Sequence, residues 1–172
     1  MGFEQDKKTG DVGEDVSLAM FRNADIYCEK NDDMSTRYEF DLDCDTFKCE
    51  VKTDMMSIKT GNLAIEVENC GYGTPSGLAA TKSEVWVEVL PTSSASIDPN
   101  SPDTYEIWIA DTEELKSYMR ANKPDNKFTG AGDGNALVWL YKKSIMLTAV
   151  FTRVDNATPE ELNGMIYKIL KG

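Results

Sequence analysis

The sequence predicts a mixed α/β (α+β) domain, and three patterns carry that expectation. Apolar residues recur at helical spacing near both ends of the chain. Between them, short segments alternate apolar and polar residues with a period of two, the signature of half-buried strands. Stretches rich in Gly, Pro, Ser and Asn separate these segments, and there is no internal repeat or second core. Residues 1–172 are therefore expected to form one domain, a length sufficient for one sizeable core.

The elements follow in order. A first helix is expected over 11–30 from Val12, Val16, Ala19, Met20, Ala24 and Tyr27. Asp11 would cap it, with Glu14 and Asp15 in the first turn where the dipole favours anions. Strands at 38–43 and 47–52, joined by Cys44-Asp45-Thr46, read as a hairpin. One face would carry Tyr38, Phe40, Leu42, Phe47, Cys49 and Val51, and the exposed face Glu39, Asp41, Asp43, Lys48, Glu50 and Lys52. A third strand over 63–68, a glycine-marked loop, a short helical stretch over 76–83 and a strand over 85–90 come next. Residues 91–103, rich in Ser, Pro, Asn and Asp, read as a mobile loop. Then come a strand over 105–110, a helix opened by Asp111-Thr112-Glu113-Glu114 and running to about Asn122, and a glycine-rich loop over 122–134. Strands over 136–141 and 145–151 and a C-terminal helix over 158–170, with Pro159 at its first position, complete the reading.

Composition narrows the chemistry. The chain has no histidine, which removes Ser-His-Asp, Cys-His and HExxH sites and leaves carboxylates, lysines, hydroxyls or metals. Cys28, Cys44, Cys49 and Cys70 form no CxxC pair, and all four are expected to be reduced and mostly buried. No apolar run approaches the roughly 18 residues of a membrane helix, so no membrane partner is expected. The polar N-terminus, with no apolar signal core, points to the cytoplasm (the host's, if the protein is viral). A net charge of −12 argues against a general nucleic-acid coat. It suits a solvated acidic surface, or acids clustered to hold divalent cations.

The hairpin carries the candidate site. With Asp45 and Thr46 at the turn, Asp41 lies across from Glu50, Lys52 follows on the same face, and Asp54 continues the row. Asp43 has the same parity as Asp41 and competes with it. Two carboxylates and an ammonium on one face suit metal-assisted phosphodiester hydrolysis, although the same row also reads as a solvated strand face. Glu66 shares the polar side of the third strand, and Thr60-Gly61-Asn62 either meets a substrate backbone or only opens that strand. Ser76, Thr81 and Lys82 either offer a phosphate site at a helix start or are ordinary capping residues. Gly130-Ala131-Gly132-Asp133-Gly134 is not a P-loop, because no Gly-Lys-Ser/Thr follows. Trp86, Trp108 and Trp139 read as core or rim aromatics.

Asp41…Glu50-Val51-Lys52, on a hairpin between a helix and a third strand, resembles the active-centre motif of the PD-(D/E)XK nuclease superfamily. The stretches Glu50–Asp54, Thr60–Glu66 and Pro75–Leu78, with Thr81, look like small, virally (phage) encoded members. Thr129–Asp133 is similar to a loop near their C-terminus. The resemblance spans roughly 11–145; no proline precedes Asp41, and the last helix has no counterpart. It implies a restriction-endonuclease-like core of helix, three-stranded meander, helix and strand, with extra C-terminal strands and helix. It also implies Mg²⁺- or Mn²⁺-dependent DNA cleavage, as an endonuclease or Holliday-junction-resolvase-like enzyme, with a homodimer as one option that no residue pattern establishes. Asp41 and Glu50 would hold the metal, Lys52 would assist the attacking water, and Glu14 would support a ligand. Asp54, Thr60, Asn62, Glu66, Ser76 and Thr81 would line the substrate. The strong acidity supports an alternative, a non-catalytic DNA mimic or inhibitor that binds a basic DNA-processing partner. A degenerate nuclease fold kept as a structural module is a third option, against which the intact Asp41, Glu50 and Lys52 stand.

Overall fold

The computed structural model describes residues 3–36, 38–94, 96–131 and 135–172. Helix α1 (Phe3–Asn23) buries Val16, Leu18 and Phe21 on one side. It starts and ends earlier than the apolar spacing suggested. Asp25 adopts the left-handed region (φ 56°) and reverses the chain, which leaves Tyr27 exposed beyond the helix. Asp11, Glu14 and Asp15 therefore lie in mid-helix, and none of them caps it or occupies its first turn.

After the reversal, β1 (Cys28–Lys30) pairs antiparallel with β2 (Leu42–Cys44), which pairs antiparallel with β3 (Phe47–Thr53) across Asp45-Thr46. The register Leu42↔Cys49 and Cys44↔Phe47 places these four side chains, with Val51, on one buried face. Residues 38–41 form a turn instead of the expected strand, and Tyr38 is exposed, not part of the apolar face. The ladder continues past β2 at Asp41, whose N–H donates to the Cys49 carbonyl at 2.9 Å and whose carbonyl accepts from the Asn31 N–H at 2.8 Å. Cys28 stands directly across from Cys44, and the two are joined as a disulfide. This corrects the expectation of four reduced thiols. A cross-strand pair on one face needs no local spacing motif. Cys49 (buried) and Cys70 (exposed) are free.

The chain crosses over to β6 (Val85–Pro91), parallel to β3, and continues to β7 (Tyr105–Asp111), which is antiparallel to β6. With β10 (Thr152–Arg153) these strands form a six-stranded sheet ordered β1-β2-β3-β6-β7-β10. The expected third strand, β4 (Asn62–Asn69), does not join the hairpin. It pairs with β9 (Ala136–Lys142) in a separate sheet ordered β5-β4-β9-β8, with β5 at Thr74–Pro75 and β8 at Asn126–Ala131. The meander is thus β1-β2-β3. The segment expected as a glycine-rich loop holds strand β8, since pairing with β9 satisfies its backbone. Gly132 and Asp133, part of the proposed C-terminal loop, lie outside the described residues.

Helix α2 (Ser57–Thr60) precedes β4, and a 3₁₀ turn at Gly77–Ala79 replaces the expected helical stretch over 76–83. The stretch 145–151, read as a strand, is mostly helix α4 (Lys143–Val150). Met146 and Leu147 bury there while Ile145 stays exposed, and no described strand pairs with it. Asp111 caps α3 (Thr112–Ala121) by accepting from the Glu113 and Glu114 N–H groups at 2.7 and 3.0 Å. A Thr158–Glu161 capping box opens α5 (Pro159–Lys171). The expected mobile loop is pinned: Ile97 is buried, and the Asp98 N–H donates to Thr104 Oγ1 at 3.0 Å. No described helix is long and apolar enough to cross a membrane.

Both faces of the six-stranded sheet are covered. Val16 and Phe21 of α1 and Leu162 and Ile166 of α5 pack with Val51 and Val87 on one side. On the other, Leu63 and Ile65 of β4, Leu115 of α3 and Met146 of α4 pack with Trp86 and Leu90. The hairpin face expected to be exposed turns toward this second layer, and Glu50 is only 6% exposed.

Candidate active site

Strand alternation sends Glu50 and Lys52 to the same side of β3, and the hairpin register brings Asp41 alongside. Lys52 Nζ lies 2.5 Å from Glu50 Oε1 and 3.7 Å from Asp41 Oδ2. Asp41 Oδ2 also accepts from the Val51 N–H at 2.8 Å, which fixes the carboxylate beside β3. Asp43, the competitor, turns to Lys48 instead. Asp41 is therefore the hairpin carboxylate that shares the site.

Thr81 is buried and its Oγ1 lies 3.0 Å from Glu50 Oε2, 2.8 Å from the Glu39 carbonyl and 3.0 Å from Ser83 Oγ. A hydroxyl has one proton to donate, so Thr81 serves these acceptors one at a time. Ser83 Oγ in turn lies 3.4 Å from Thr112 Oγ1, which links the site to the start of α3. Burial pushes the Glu50 carboxyl up, Lys52 opposes this, and the Asp41 charge adds to it, for a net rise. Burial alone would lower the Lys52 ammonium, but Glu50, Asp41 and Glu66 outweigh it and hold the group charged, above its ordinary range. The Lys52 ammonium also stands 5.8 Å from the centre of the Trp86 ring.

A cleft of about 590 Å³ opens beside Asp41, lined by Asp11, Glu14, Asp15, Lys30, Asp32 and Asp41 among others. Lys30 Nζ sits 3.1 Å from Glu14 Oε2 and 2.9 Å from Asp15 Oδ1. Burial pushes the Glu14 carboxyl up; its bond to Lys30 opposes that, and the Asp41 charge adds to it, for a net rise. Glu14 thus joins the site from mid-helix, where α1 lies against β3.

The remaining candidates divide. Glu66 accepts from Ser76 Oγ at 2.5 Å, and its charge adds to those of Glu50 and Asp41 that hold the Lys52 ammonium up, while no direct contact joins either residue to the three among the described residues. Asp54 is turned away: it accepts from the Met56, Ser57 and Ala64 N–H groups at 2.9, 3.0 and 3.1 Å and clamps the connection to β4. Thr60 Oγ1 donates to the Met56 carbonyl at 3.0 Å and accepts from the Asn62 N–H at 3.2 Å, so both residues shape the turn into β4.

Glu88 escaped the sequence reading. It stands beside Lys52 in the β3–β6 register, is 1% exposed, and accepts from Trp86 Nε1 at 2.9 Å. Burial pushes its carboxyl up to about 8. The signal was a glutamate sharing strand parity with Trp86 and Leu90 in an otherwise apolar run.

The donor set suits a divalent cation. Asp41 and Glu50 offer hard oxygens that already converge on one positive charge, the Lys52 ammonium. Among the described residues no three His, Cys, Asp or Glu side chains enclose an ion-sized space. Two carboxylates are nevertheless the protein share typical of Mg²⁺, which keeps water and substrate phosphate as its other ligands.

No family model, curated protein or solved structure matches the chain.

Proposed function

We propose that the chain is a metal-dependent DNA nuclease of PD-(D/E)XK type, hydrolysing phosphodiester bonds with Mg²⁺ or Mn²⁺. The observation that carries this reading is the convergence of Asp41, Glu50 and Lys52 beside an acidic cleft. The order of elements supports it: α1, the meander β1-β2-β3, a crossover, and β6 parallel to β3 follow the sequence of a restriction-endonuclease-like core. The crossover holds β4, β5 and a 3₁₀ turn where a helix was expected.

Asp41 and Glu50 would hold the ion, which when bound supplies Lewis acidity and a water of lowered pKa. Lys52, kept charged by its two carboxylates, neutralises charge developing on the phosphoryl oxygens and orients the attacking water. Thr81 steadies Glu50 through Oε2, and Glu14 adds negative charge beside Asp41. Ser76 holds the Glu66 carboxylate, whose field acts on Lys52.

The test is cleavage of duplex, branched and single-stranded DNA with Mg²⁺ or Mn²⁺. Glu50→Gln should lower the rate by about a hundredfold or more, the scale on which removing one electrostatic contact to a transition state acts. Intact DNA in every form, from folded wild-type protein, would sink the proposal. The acidic cleft favours one other reading, an inhibitor that mimics DNA to a basic partner. That reading requires metal-independent, salt-sensitive binding to a basic protein that Glu50→Gln leaves unchanged.

A further inference from the structure

We propose that a second cleft, between the end of α3 and the β8–β9 pair, binds a phosphate group, in a nucleic-acid strand or a free nucleotide. In a chain of net charge −12, this cleft of about 580 Å³ is lined by Arg120, Lys123 and Lys127 and, among the described residues, by no carboxylate. Among the described residues none of these three cations is ion-paired with an acidic side chain. Among the described residues Arg120 donates only to Ser117 Oγ, at 2.9 Å, which leaves most of its five N–H donors for a ligand. Three like charges around one cavity repel each other, and an anion among them turns that repulsion into attraction.

The rest of the lining fits the same ligand. Met119 and Trp139 give an apolar floor, and Lys127 Nζ lies 4.7 Å from the centre of the Trp139 ring. A guanidinium and two ammonium groups match the several oxygens of a phosphate better than a single carboxylate. The cleft is separate from the carboxylate centre. Thr112, at the end of the hydroxyl relay from Glu50, opens α3, and Arg120 lies eight residues further, about 12 Å along the helix. The inference therefore stands whether or not Glu50 supports hydrolysis.

The experiment is calorimetric titration, with tryptophan fluorescence as a second signal, in EDTA so that no metal contributes. The probes are inorganic phosphate, deoxyadenosine monophosphate and a short single-stranded oligodeoxynucleotide. Wild-type chain is compared with R120Q/K123Q/K127Q and with Lys168→Gln, an exposed position on α5 outside both sites. Saturable binding should weaken about tenfold or more in the triple variant and stay unchanged in Lys168→Gln. The salt dependence of oligonucleotide binding should become shallower, by about 0.7 in slope for each phosphate that the variant no longer neutralises. Competition by the mononucleotide at similar concentration assigns a free nucleotide; binding of the oligonucleotide alone assigns a strand. No binding by the wild type, or equal binding by the triple variant, overturns the proposal. If the triple variant fails to fold by circular dichroism, Arg120→Gln and Lys127→Gln, each at an exposed position, carry the same comparison singly.

Discussion

A carboxyl group that is 1% exposed, and pushed by burial from an ordinary 4.5 to about 8, ties the stability of the whole chain to pH at the single residue Glu88. Between these two values the folded chain keeps a proton that the unfolded chain has released, so stability falls as pH rises through that window. Below it both states are protonated and the full contribution is present. Glu88→Gln keeps an acceptor for the Trp86 N–H and cannot ionise. Unfolding free energies from urea titrations at pH 5 and pH 8 should therefore draw together in the variant, by up to about 1.4 kcal/mol for each pKa unit removed. An unchanged slope would place the titration elsewhere. Asp41, Glu50 and Lys52 were legible because a two-residue turn and strand parity fix who faces whom across a hairpin. Glu88 and the contact from Thr81 to Glu50 were not, since both depend on the parallel pairing of β3 with β6, which no local pattern encodes.

At the scale of elements, α1 owes its seat on β3 to Gly13. A Cβ at that position would run into Thr53 Oγ1 and press on Thr53 Cβ. Gly13→Ala should lift the helix from the strand and cost about 1–3 kcal/mol, as overpacking does, despite alanine's better helix propensity. Urea denaturation measures this, and a stabilised variant would refute the close approach. Helices α3 and α5 were legible from their caps, which are written within four residues. The limits of α1 were not, because the reversal at Asp25 leaves no Gly or Pro to announce it. The short apolar run over 145–151 fits a strand or a buried helix equally, and only its packing as α4 decides. Alternation in β4 told which face it buries but not which strand it joins, and the Cys28–Cys44 disulfide was hidden with the unseen β1.

For the molecule as a whole, the two sheets share one core layer, with Trp86 and Leu90 of one against Leu63 and Ile65 of the other. Neither can lose its packing without exposing the other. Thermal unfolding followed by tryptophan fluorescence, with Trp86 in one sheet and Trp139 in the other, should coincide with far-ultraviolet circular dichroism in one transition. Two separated transitions would show that the sheets are independent units. The pairing of β4 with β9 also bears on how the chain is made. On the ribosome, β4 emerges long before the strand that will cover its edge, with β6, β7 and α3 synthesised in between. Leu63 and Ile65 must wait through that interval with their backbone groups bonded to water and not to a partner strand, an open edge of the kind that recruits neighbouring chains. The charged Glu66 and Glu68 in the same strand give the nascent edge its means of keeping such neighbours away.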